Sequence, residues 1–143
     1  MKVSEIMTKN PITVSADDLV RKAAGLLRTH RIGGLPVMEN EQLVGIVTES
    51  DIIALLETGR ISDDLWLPSP LEVIEVPVRE LINWERTRTA LTSIGDKMIR
   101  EIMSHPVITI GEDADIENAA SLMLSHTIAR LPVVSHGRLT GIV

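Results

Sequence analysis

The chain of 143 residues contains no cysteine, no phenylalanine and no tyrosine. Without cysteine it can build no disulfide framework, thiolate metal site or thiol nucleophile, which suits a reducing cytosol. With Trp66 and Trp84 as its only aromatic side chains, it has no platform on which unpaired bases could stack. The core must therefore be assembled from Ile, Leu, Val, Met and Ala. Positive charge is also in deficit: 14 Lys and Arg stand against 20 Asp and Glu, a formal net charge of −6. A nucleic acid meets a repulsive average field, and Arg21, Lys22, Arg28 and Arg31 read as a solvated helix surface. No window approaches the ~20 apolar residues of a membrane span. The opening Met1-Lys2-Val3-Ser4-Glu5 lacks the apolar stretch of a signal peptide. These absences predict a soluble, cytoplasmic protein that binds neither nucleic acid nor membrane.

What the chain does have is ordinary for a globular protein, with 44% hydrophobic and 24% charged residues. It also has a duplication. Residues 3–47 align without a gap on residues 99–143, at an offset of 96, with 18 of 45 pairs identical. The strongest echo sets Ile32-Gly33-Gly34-Leu35-Pro36-Val37 against Ile128-Ala129-Arg130-Leu131-Pro132-Val133. Two copies of one small unit fold most economically around a pseudo-twofold axis, and a ligand would sit in the cleft between them.

Within the first copy, the pattern predicts a strand over 11–14 and a helix capped by Ser15, with Asp18 at its third position. Strands over 35–38 and 43–47 follow, joined by a polar turn, and a second helix opens at Thr48-Glu49-Ser50-Asp51. The second copy repeats the order with strands over 107–110, 131–134 and 139–143 and a helix over about 113–125. It ends before an equivalent of residues 48–56, so the chain is expected to be incomplete, with an apolar edge left uncovered. The division is residues 1–57 as repeat 1, 58–95 as a linker with a helix over about 78–94 stopped by Gly95, and 96–143 as repeat 2. Each repeat is β-α-β-β-α, in an α/β (α+β) fold packed through its sheets.

Thr48-Glu49-Ser50-Asp51 is the sharpest local signal. A strand turning into a helix presents backbone N–H groups and partial positive charge to an anion. The Thr48 and Ser50 hydroxyls suit a phosphate, and Asp51 suits a ribose diol. Thr-x-x-Asp is equally a capping box that satisfies only its own backbone. Gly33-Gly34 permits close approach to a flat ligand or is simply a turn. Arg130, in place of Gly34, offers a cation to a phosphate or makes a surface ion pair.

The residues Ile6-Met7-Thr8, Pro11-Ile12-Thr13-Val14, Ile32 to Val37 and Gly45-Ile46-Val47-Thr48-Glu49-Ser50-Asp51, with their partners in the second copy, make each copy resemble the cystathionine-beta-synthase (CBS) domain. The pair resembles the tandem regulatory unit called a Bateman module. The resemblance implies a disc that forms homodimers and binds AMP, ADP, ATP or S-adenosylmethionine between the copies. It also implies roles for individual residues. Thr48 and Asp51 match phosphate and ribose contacts, with Ser50 between them. Ile12, Gly34, Leu35 and Pro36 match an adenine-side wall; Val107, Ile108, Leu131 and Pro132 match a second wall; Arg130 matches a phosphate-binding position.

Catalysis is not expected. His30 and His126 fall at equivalent helix ends, where they favour the helix dipole. His105 and His136 fall in turns without zinc-ligand spacing. No Gly-x-Ser-x-Gly or Walker-type loop is present. The expected function is a non-catalytic sensor for an adenosine-containing ligand, regulating an unidentified protein, with no catalytic cofactor and no metal. The competing expectation is a protein-interaction scaffold with vestigial sites, docking a partner through the insert with Trp66 and Trp84.

Overall fold

A computed structural model describes residues 1–57 and 93–143. Both tryptophans and all of the expected helix over 78–94 except its last two residues fall outside the described residues; residues 93–95 are helical and the helical stretch ends at Gly95.

The elements run α1 (Val3–Ile6), β1 (Thr8–Lys9), β2 (Val14–Ser15), α2 (Val20–His30), β3 (Gly34–Glu39), β4 (Gln42–Thr48) and α3 (Glu49–Glu57). After a 3₁₀ turn (Ile99–Glu101) come β5 (Ile110–Gly111), α4 (Ile116–His126), β6 (Pro132–Ser135) and β7 (Arg138–Ile142). The fold is α/β. In each copy a short strand crosses over through a helix to a parallel neighbour, which then turns back antiparallel. One sheet has the order β2-β3-β4, the other β1-β7-β6-β5. Both hairpins use two-residue turns with left-handed backbone, Asn40-Glu41 and His136-Gly137, the geometry that matches strand twist.

Two expectations about element starts need correction. Residues 11–13 and 107–109 are not strand; only Val14–Ser15 and Ile110–Gly111 pair. Ser15 does not cap α2. The Asp18 carboxylate accepts from the Ser15 N–H at 2.8 Å and the Asp18 N–H donates to the Ser15 carbonyl at 3.0 Å, closing a turn. The helix starts later because Leu19 is extended (φ −79°, ψ 149°) and pairs with Met98, while the Val20 N–H donates to the Lys97 carbonyl at 2.8 Å.

That last contact belongs to a reciprocal exchange. The lead-in segment of each copy packs into the other. Val3, fully buried, lies in one core with Ile110, Ala119, Leu131 and Val133, whereas Ile99, also fully buried, lies in the other with Val14, Ala23, Leu35, Val37 and Val47. The Val3 N–H donates to the Ala114 carbonyl (2.9 Å), and its counterpart Ile99 N–H donates to the Asp18 carbonyl (2.8 Å). The exchange extends to the sheets: Thr8 pairs with Ile142, as Ser104 pairs with Ile46. The edge of β7 expected to lie open is thus occupied by β1.

Close approach of these segments explains the repeated Gly-Ile-Val. A Cβ on Gly45 would stand 2.6 Å from the Met103 sulfur and 3.0 Å from the Ser104 carbonyl oxygen; on Gly141 it would stand 2.5 Å from the Met7 sulfur and 3.0 Å from the Thr8 carbonyl oxygen. Only glycine admits the partner's lead-in at these distances.

Candidate functional site

The exchange creates two clefts, each with walls from both copies. The first, about 310 Å³, lies between the β4-to-α3 turn and the second copy. Ile46, Thr48, Ser50 and Asp51 line it from the first copy; Ser104, Pro106, Val107, Ile108, residues 127–130 and Pro132 line it from the second. The second, about 410 Å³, is lined by Ile6, Thr8, Asn10, Pro11, Ile12 and residues 32–34 of the first copy and by Arg130, Ile142 and Val143 of the second. Subtracting 96 from Ser104, Ile108 and Ile128 gives Thr8, Ile12 and Ile32, so the clefts are related by the pseudo-twofold. Both volumes fall in the range of small-molecule sites.

The chemistry of the first cleft centres on Asp51. Its Oδ2 accepts from the Thr48 N–H (2.8 Å) and the Thr48 hydroxyl (3.1 Å), and the Asp51 N–H donates back toward Thr48 Oγ1 (3.3 Å). This is the reciprocal cap. The carboxylate does more than cap, however, because Oδ1 accepts from the Ser104 hydroxyl of the other copy at 2.8 Å. Asp51 therefore caps α3 and faces the cleft at once. The Glu49 N–H donates to the Gly33 carbonyl (3.2 Å), tying the helix start to the segment that borders the second cleft.

Arg130, from the second copy, lines the same cleft as Asp51. It forms no ion pair with a described residue, unlike Arg21 with Asp96 and Arg100 with Asp17 and Glu39. Its side chain lies against Gly33-Gly34: a Cβ on Gly33 would overlap the guanidinium, and one on Gly34 would stand 2.9 Å from Arg130 Cδ. The glycines make room for an arginine.

The structure divides the twelve residues singled out from the sequence. Thr48, Ser50, Asp51, Val107, Ile108, Arg130 and Pro132 line the first cleft. Ile12 and Gly34, expected on the adenine side of the same site, line the second cleft instead, which Arg130 also borders. The physical reason is the exchange, which sets each copy's wall opposite the other copy's helix start. Leu35, Pro36 and Leu131 are fully buried and line neither cleft; Leu35 and Leu131 are among the largest fully buried side chains. Sequence reasoning passed over Ser104 and residues 127–129. Ser104 was legible as the equivalent of Thr8, and Ile128-Ala129 as the equivalent of Ile32-Gly33.

His30 and His126 end α2 and α4, and His136 sits in its hairpin turn. Among the described residues no three His, Cys, Asp or Glu side chains are grouped to hold a metal ion. No described helix is long and apolar enough to cross a membrane.

Comparison with known proteins places this architecture. The chain is 38% identical over 145 residues to MJ1426, an uncharacterized protein of Methanocaldococcus jannaschii, covering 100% of this chain and 86% of that one. It is 30% identical to the inosine-5'-monophosphate dehydrogenase of the same organism over 99% of this chain, but spans 22% of the enzyme; against MJ1404 it spans 30%. Among solved structures, the CBS domain pair of protein MJ0100 in complex with 5'-methylthioadenosine and S-adenosyl-L-methionine superposes with a TM-score of 0.71 at 28% identity, covering 100% of this chain and 88% of that one. CBSX2 in complex with AMP gives 0.67 at 25%, with 99% and 88% covered. The CBS domain profile matches residues 3–58 and 99–143; with two such domains exchanging lead-in segments around shared clefts, the chain belongs to the CBS domain family as a tandem pair.

Proposed function

We propose that the chain is a non-catalytic regulatory module in which an adenosine-containing ligand bridges the two CBS repeats, residues 1–57 and 96–143, at the first cleft. The observation that carries this reading is the placement of one carboxylate and one cation on that cleft from different copies, Asp51 and Arg130. A ribose diol donates to the Asp51 carboxylate, as the Ser104 hydroxyl does in its place at 2.8 Å. The adenine packs against Val107 and Ile108, and a phosphate pairs with Arg130 and the Ser50 hydroxyl. Arg130 favours AMP, ADP and ATP over the cationic sulfonium of S-adenosylmethionine. Relatives solved with AMP or with S-adenosylmethionine and 5'-methylthioadenosine support adenosine as the shared element.

Because the ligand touches both copies, its binding energy is available to shift their mutual arrangement and so signal to a regulated protein. The module is cytoplasmic and homodimeric in this reading. Ile53 and Leu124, 50% and 82% exposed on α3 and α4, supply apolar surface for the dimer. Light scattering tests this: Leu124→Glu with Ile53→Glu should give a monomer. Thermal melting tests the ligand. AMP at about a hundred times its Kd should add about 2.7 kcal/mol of stability. No shift with AMP, ADP, ATP or S-adenosylmethionine would favour a protein-interaction scaffold instead.

A further inference from the structure

Resting on the reading of the first cleft as a nucleotide site, we propose that Arg130 is one cation serving two clefts, so that a phosphorylated ligand held in one weakens binding of a second phosphorylated ligand in the other. Arg130 borders both cavities. It is the only cationic side chain among the described residues lining either of them, and Asp51 is the only anionic one. No described carboxylate neutralises it.

The duplication explains why there is one such arginine. Gly34 and Arg130 are equivalent positions in the two copies, and they meet, since a Cβ on Gly34 would stand 2.9 Å from Arg130 Cδ. Two long side chains cannot occupy that space, and the first copy yields it with Gly33-Gly34. A symmetric pair of clefts is thus left with an unsymmetric, shared charge. A guanidinium engaged by one phosphate presents its donor fork to that phosphate and has its charge largely compensated. The second phosphate then meets a spent cation and, across a short distance, a like charge. By linkage the penalty is the same whichever cleft fills first. An uncharged ligand feels none of it.

Isoleucine methyl NMR separates the clefts, because Ile108 lines the first and its equivalent Ile12 lines the second. The probes are AMP and adenosine, titrated into the wild-type chain, Asp51→Ala and Arg130→Gln. With AMP, the Ile12 midpoint should be at least about fivefold higher in the wild type than in Asp51→Ala, where Ile108 stays silent and the first cleft is empty. With adenosine the two Ile12 midpoints should agree. Adding Arg130→Gln to both backgrounds should make the AMP midpoints agree as well. Equal AMP midpoints in wild type and Asp51→Ala, a gap that survives Arg130→Gln, or an Ile12 methyl silent to AMP in Asp51→Ala would overturn the sharing while leaving the first site standing. An Ile108 methyl silent to both ligands in the wild type would overturn the nucleotide reading and this one with it.

Discussion

Asp51 spends one carboxylate on two tasks, and its variants should separate them. Asp51→Ala removes the acceptor of the Thr48 N–H and should cost about 1 kcal/mol of stability in urea denaturation, besides losing the ribose contact. Asp51→Asn keeps an acceptor toward Thr48, so its stability should lie nearer the wild type while AMP binding falls. Equal binding by all three proteins would reduce Asp51 to a cap. Asp18 offers a pH test. The backbone hydrogen bond from Ser15, aided by Lys22, holds its carboxyl below the ordinary aspartate range. A group whose folded value is depressed stabilises above its unfolded value, about 3.9, and that contribution is lost as pH falls through the lower folded value. Urea midpoints should therefore fall below about pH 4, and Asp18→Asn should be less stable than wild type at pH 6 but converge with it in strong acid. Parallel curves for the two proteins would contradict this.

At the scale of elements, the lead-in segments decide which copy a residue stabilises. Ile99 belongs to the second copy by sequence but to the core of Val37 and Val47 by packing. Ile99→Ala should cost about 2–5 kcal/mol, and hydrogen exchange should show the loss first in β3 and β4. Loss confined to β6 and β7 would place it in the wrong core. Gly45→Ala should cost about 1–3 kcal/mol by pressing on Met103 and the Ser104 carbonyl, read as a lowered denaturant midpoint. The order of strands and helices was legible because apolar spacing is local. The exchange was not: the hydrophobic pattern says that Val3 and Ile99 are buried, and nothing in it says against which copy. Misreading Ser15 as a helix cap has the same root. Ser-x-x-Asp fits a cap or a turn, and the choice is made by Lys97 and Met98, far along the chain.

For the whole molecule, the duplication predicted a shared interface and clefts at that interface, and the structure has both. What one-dimensional alignment could not supply was the pairing of walls with helix starts. The resemblance gave Ile12 and Gly34, together with Val107 and Ile108, as two walls of one cleft between the copies, whereas the pseudo-twofold sets only Val107 and Ile108 beside Asp51. Arg130 was visible as a departure from Gly34; that it touches the very glycine it replaces follows only from folding the copies together. Calorimetric titration of AMP into the wild-type chain and Asp51→Ala tests the central claim most directly. The account predicts saturable binding at both clefts in the wild type and, in the variant, loss of the first-cleft event with only the second-cleft event remaining. Absence of heat in the wild type, or an unchanged isotherm in Asp51→Ala, would contradict it.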